Sequence, residues 1–136
     1  MRSRHFRALI VFALAGLGSR AQHAGLVGTW RGTSICADRE HWPACNDEQV
    51  IYEARLKHRA PDTVTVSADK VVNGVRDNMG EYDFVLAADS SWVSEFRMGG
   101  NHGRIVLRIA GTHMTGVLLD VTSGRTARNM TLDRAQ

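Results

Sequence analysis

Gly28-Thr29-Trp30-Arg31-Gly32-Thr33-Ser34-Ile35-Cys36, then Ala37 to Ala44, then Cys45-Asn46-Asp47-Glu48-Gln49-Val50-Ile51-Tyr52-Glu53, is the stretch that decides the fold. Two β-like runs flank a short loop with a cysteine at each end. A Cys36–Cys45 bridge would close that loop, and even so small a ring contributes roughly 2–3 kcal/mol in the chain-entropy picture. The first run opens with Gly28-x-Trp30. Glycine admits close backbone approach, and an indole is large enough to plug one end of a small barrel.

Outward from this stretch toward the start, residues 1–21 read as a signal peptide. Arg2, Arg4 and Arg7 form a basic region, Ala8 to Leu17 an apolar one, and Ser19-Arg20-Ala21 a small-residue cleavage site. Cleavage after Ala24 is the weaker alternative. The apolar run is about half of what a bilayer span requires, so no membrane span is expected. The remainder, 22–136, is one domain with one core.

Processing changes the charge argument. Taking Arg2, Arg4, Arg7 and Arg20 from 17 basic residues leaves 13 against 14 acidic ones, a net charge of −1. No basic patch with interleaved aromatics survives, so nucleic acid is not an expected partner. Two cysteines in an exported chain fit one structural disulfide, placing the protein in the periplasm or outside the cell. Fifteen arginines against two lysines point weakly to GC-rich coding and a bacterial source.

Toward the C-terminus the chain reads as strand after strand: Leu26 to Cys36, Gln49 to His58, Thr63 to Ser67, Met79 to Leu86, Trp92 to Met98, Arg104 to Ala110, Thr112 to Asp120 and Arg125 to Asp133. Gln49 to His58 and the four runs from Met79 to Asp120 show the period-2 alternation of a half-buried strand. The facing of the last run is ambiguous, with the side of Arg128, Met130 and Leu132 favoured as inward. Pro61-Asp62 is read as a break, Asn73-Gly74 as a turn, and Gly99 to Gly103 as a loop too rich in glycine for regular structure. Short connections force antiparallel neighbours. Eight such strands are best closed into an up-and-down barrel, which also removes exposed edges.

With the strands in place, the chain resembles the calycin superfamily of lipocalins, fatty-acid-binding proteins and avidins, and among them small secreted lipocalin-like proteins of bacteria. The resemblance rests on Gly28-Thr29-Trp30-x-Gly32-x-Ser34-x-Cys36 and Pro43-Ala44-Cys45-Asn46-Asp47-Glu48-x-Val50-x-Tyr52. Asp69-Lys70-Val71-Val72-Asn73-Gly74, Met79-Gly80 and Met114-Thr115-Gly116-Val117-Leu118 extend it. It implies that Trp30 closes the barrel floor and that an arginine of the last strand, Arg125 or Arg128, packs across it; Arg128 shares the favoured inward side with Met130 and Leu132.

Inward positions then supply the candidate site. Tyr52, Tyr82, Phe84, Trp92, Phe96, Met98 and Met114 would line an interior for a small apolar or aromatic molecule, or fill it as core. Ser34 and Ser94 offer polar groups from inward positions, and Gly80 and Gly116 leave room beside the aromatics. Access would be at the rim opposite Trp30. The alternative is a filled scaffold whose Asp38-Arg39-Glu40-His41-Trp42-Pro43 loop contacts a protein partner. No catalytic residue is assigned: no Gly-x-Ser-x-Gly elbow or phosphate loop occurs, and neither cysteine is placed as a nucleophile. His23, His41, His58, His102 and His113 show no metal-ligand spacing, so neither metal nor cofactor is expected.

Overall fold

A computed structural model describes residues 25–136; the signal-peptide reading of 1–21 lies outside them. Eight strands follow in order: β1 (Gly28–Cys36), β2 (Glu48–Lys57), β3 (Ala60–Val72), β4 (Val75–Leu86), β5 (Trp92–Met98), β6 (Asn101–Ala110), β7 (His113–Asp120) and β8 (Arg125–Arg134). Each pairs antiparallel with the next, and β8 returns to β1, so the sheet closes on itself. The fold is all-β: an eight-stranded antiparallel up-and-down barrel with one disulfide, Cys36–Cys45.

Strand direction sorts the interior into two halves. The starts of β1, β3, β5 and β7 and the ends of β2, β4, β6 and β8 meet at a lower end. There Leu26, Trp30, Val64, Leu107, Met114 and Leu132 are wholly buried, with Trp92 beside them. The disulfide loop and the β3–β4, β5–β6 and β7–β8 turns all lie at the upper end. Asn73 and Gly74 make the β3–β4 turn with φ of 52° and 77°, the left-handed pair that a two-residue hairpin requires.

Trp30 closes the floor. Its side chain is fully buried, and its indole N–H donates to the Leu26 carbonyl at 2.8 Å, so burial leaves no orphan donor. The arginine across it is Arg134, not Arg128 or Arg125: its guanidinium carbon lies 4.3 Å from the ring centroid. Arg134 faces Trp30 in the β1–β8 register, whereas Arg128 faces Cys36 at the opposite end of the barrel. Gly28 is what admits the guanidinium, since a Cβ there would stand 2.5 Å from Arg134 Nη1. Gly32 serves a different approach: its Cβ would meet the Thr131 carbonyl oxygen at 2.0 Å, so β1 and β8 cross here at a spacing only glycine allows.

Two expected interruptions are strand instead. β3 begins at Ala60 and includes Pro61 and Asp62. The β2–β3 register shifts there, Lys57 facing Ala60 and Leu56 facing Val64, so Pro61 falls outside the ladder where its missing N–H is harmless. β6 begins at Asn101, with Gly103 paired to Phe96. The Phe96 ring occupies the space a Gly103 Cβ would need, 2.3 Å from Cζ. That glycine is a seat for a ring rather than a loop signal.

Candidate functional site

The upper half of the interior is not filled. A cavity of about 110 Å³ sits above the packed floor. Val66, Phe84 and Met130 form its base, and Tyr52, Ala68, Met79, Tyr82, Phe96, Ile105 and Leu118 its walls. Met79 reaches it through a bulge: Ala68 pairs with Gly80 and Asp69 with Asn78, leaving Met79 as the extra residue. Outside the barrel the bulge is clamped by Asp69, which accepts from Asn78 Nδ2 and Arg76 Nε, both at 2.6 Å. These contacts, Asn78 first, hold the Asp69 carboxyl below its usual range.

One corner of this apolar chamber is polar. Ser34 of β1, Glu48 of β2 and Arg128 of β8 converge there, with Tyr52 on the adjoining wall. Arg128 Nη1 donates to the Ser34 hydroxyl at 3.2 Å and its carbonyl at 3.3 Å, and Nη2 to the Asn46 carbonyl at 3.0 Å. Glu48 meets Arg128 Nη1 at 3.4 Å, both side chains below 20 % exposed at 18% and 19%. Burial pushes the Tyr52 phenol up to about 12, with Tyr82 adding to the shift and the neighbouring Arg128 opposing it. Tyr52 therefore remains a neutral hydroxyl at any physiological pH.

The barrel wall is thin on one side. β4 and β5 pair only through Val85–Val93 and Leu86–Trp92. Above those pairs the Tyr82 and Phe96 rings bridge the two strands edge to face, centroids 5.1 Å apart at 64°. Tyr82 is fixed in turn by its hydroxyl, which donates to the Met79 carbonyl at 3.2 Å.

Of the residues expected to line the interior, Tyr52, Tyr82, Phe84 and Phe96 come together around the cavity. Trp92 and Met114 are buried in the core below it. Met98 ends β5 beyond the rim and is 55% exposed, so strand parity alone does not place it inside. Ser34 borders the cavity, whereas Ser94 is buried away from its lining. Neither glycine keeps space open: a Cβ on Gly116 would meet Leu107 Cδ2 at 2.7 Å, and Gly80 is covered by the Tyr82 ring. Arg128 belongs to the cavity corner rather than the floor. Glu48 shares the inward parity of Val50 and Tyr52 in β2. Beside Asn46 and Asp47, however, it reads in sequence as one of the solvated charges of the disulfide loop, with Asp38, Glu40 and Asp47, rather than as a wall of the interior.

The disulfide loop lies beside the same rim. Trp42 is half-buried, with His41 edge-on at 4.4 Å, and a shallow groove runs along His41, Trp42 and Pro43 against Ala127. Among the described residues no three His, Cys, Asp or Glu side chains are grouped to hold a metal ion, and no helix is long and apolar enough to cross a membrane.

No family model matches the chain, and no curated protein matches it in sequence. Solved structures do resemble it. A redesigned β-barrel, mFAP0, bound to DFHBI, superposes with a TM-score of 0.57 at 18% identity, over 80% of this chain and 98% of that one. The siderocalin Ex-FABP, described as functioning through dual ligand specificities, gives 0.53 at 16% identity, over 80% and 73%. The likeness is to lipocalin-like barrels and establishes a calycin-like fold.

Proposed function

We propose that this protein is an exported, non-catalytic barrel that holds one compact, mainly apolar molecule in the upper half of its interior, in the manner of the small secreted lipocalin-like proteins of bacteria. The observation that carries this reading is the divided interior. Protein interiors close-pack, and the lower half does; above it, aromatic walls surround about 110 Å³ with a polar corner to one side. Drug-sized ligands need roughly 300–1,000 Å³, whereas an apolar cavity of about 150 Å³ accepts a benzene ring. At about 110 Å³ the chamber is smaller than either, so its ligand is no larger than one ring or a short chain. A redesigned barrel of like fold is bound to DFHBI, which supports small-molecule binding by a barrel of this shape. The disulfide loop with its Trp42 groove is the second reading, a surface for a protein partner.

Toluene titrated against the protein, followed by backbone amide chemical shifts, tests the first reading. The expected shifts centre on Tyr52, Ala68, Phe84 and Phe96 and disappear in Ala68→Leu, which fills the chamber. Shifts absent from the folded wild-type protein, or centred on Trp42, would remove the interior site.

A further inference from the structure

We infer that the polar corner selects a neutral one-ring aromatic bearing a hydrogen-bond donor, a phenol, over an aromatic carboxylate. This deepens the interior-binding reading and rests on it. The argument is an inventory of what each group has left to offer. Arg128 is mostly engaged: Nη1 serves the Ser34 hydroxyl and carbonyl and Nη2 the Asn46 carbonyl. Of its five N–H donors only Nε–H and one Nη2–H are left, with the Glu48 carboxylate beside them to offset its charge. Glu48 is not. Its carboxylate meets Arg128 at 3.4 Å, and among the described residues no hydrogen bond reaches it, although an ionised carboxylate accommodates about four.

Tyr52 supplies the second, independent observation. Its side chain is nine-tenths buried, at 9% exposure, borders the cavity, and its hydroxyl makes no hydrogen bond among the described residues. Nor is it sealed away from every partner, since no fully buried side-chain polar atom of the described residues lacks a hydrogen bond; the hydroxyl faces the open space. It also feels the charges of both Arg128 and Glu48, with which it lines the same cavity.

The corner therefore presents an acceptor-only anion with spare capacity and a hydroxyl that can give or take a proton. A phenol matches both, donating to Glu48 while accepting from Tyr52 or Ser34. A carboxylate would sit beside Glu48 as a like charge and would compete with carbonyls for Arg128. Toluene fills the same space and leaves the corner unanswered. Hydrogen bonds to a charged partner at a sheltered site favour phenol over toluene by about tenfold.

Phenol, toluene and benzoate titrated separately by calorimetry test this. Phenol is expected to bind about tenfold tighter than toluene, with benzoate weakest. In Glu48→Gln the phenol-to-toluene ratio should fall to near one, and in Tyr52→Phe it should fall in the same direction; the second variant decides if the first does not fold. Toluene binding as tightly as phenol would overturn the inference and leave the interior site standing. Benzoate binding tightest, with loss in Arg128→Gln, would also overturn it, in favour of an anion site. Failure of all three probes to bind would remove both the inference and the reading beneath it.

Discussion

Arg134 lies over the indole of Trp30, 4.3 Å from the ring centroid, and donates past it to the carbonyls of Gly25 at 2.6 Å and Val27 at 2.7 Å. One side chain from the end of β8 thus ties down the segment that leads into β1 and caps the wholly buried plug beneath. The floor is a three-part unit: Gly28 leaves the space, Trp30 fills the barrel, and Arg134 seals it from below.

Trp30→Ala should cost about 3–5 kcal/mol, the range for deleting a buried large aromatic. Arg134→Ala should cost about 2–4 kcal/mol, combining a lost cation–π contact with lost charge-assisted hydrogen bonds. The double variant should fall short of the sum, because both remove the same contact. Denaturant melts check this. Strict additivity, or under about 1 kcal/mol lost on Trp30→Ala, would dismiss the floor as a unit.

The seam between β4 and β5 leads to a second expectation. Only Val85–Val93 and Leu86–Trp92 join these strands, and the Tyr82–Phe96 ring pair holds the wall above them. Amides on the facing edges of the upper parts of β4 and β5 should exchange with solvent faster than those in the long β2–β3 ladder. Phe96→Ala should accelerate that exchange and speed the association of toluene without disturbing the floor. Equal protection of all eight strands in hydrogen exchange would show the seam to be as closed as the rest.

Strand existence was legible because most of the strands alternate, and closure followed from short links between strands of one apolar face. The limits of each strand were less legible. β8 alternates Arg128, Met130 and Leu132 inward, and Arg134 continues that parity, yet an arginine two residues after Leu132 looks like any solvated terminus. Only the β1–β8 register shows that it faces Trp30. Met98 failed in the opposite sense: its parity is inward, but the barrel rim ends below it. The polar corner was half legible. Ser34 was assigned inward, but Glu48 and Arg128 come from strands 80 positions apart, and no local pattern states that they meet.

The disulfide supports the rim more than the barrel. Cys36 and Cys45 close a loop also held by Arg125 to Asp38 at 2.8 Å and Arg39 to Asp47 at 2.8 Å. Reduction should lower stability by roughly 2–3 kcal/mol and leave the far-ultraviolet β spectrum intact. Because Asn46 in this loop accepts from Arg128, reduction should also loosen the polar corner and weaken phenol binding. Melts with and without reductant, paired with a phenol titration, measure both effects. A collapse of the β spectrum on reduction would mean that the bridge holds the fold itself.

Alkaline stability gives the last prediction. Tyr52 is buried in the barrel, and its phenol is pushed up to about 12 from an ordinary value of 10.0, first by burial, then by Tyr82. A raised folded-state pKa means that the native state holds its proton more tightly than the unfolded chain does. The resulting stability is fully present below pH 10 and is lost as the pH rises through 12. Two units of displacement correspond to roughly 2–3 kcal/mol. Urea melts between pH 9 and 12 should therefore be level to about pH 10 and decline above it, and Tyr52→Phe should flatten most of that decline. Tyr82, raised by burial as well, accounts for a residual slope. If Tyr52→Phe declines as steeply as the wild-type protein, the Tyr52 hydroxyl is not held in a desolvated wall.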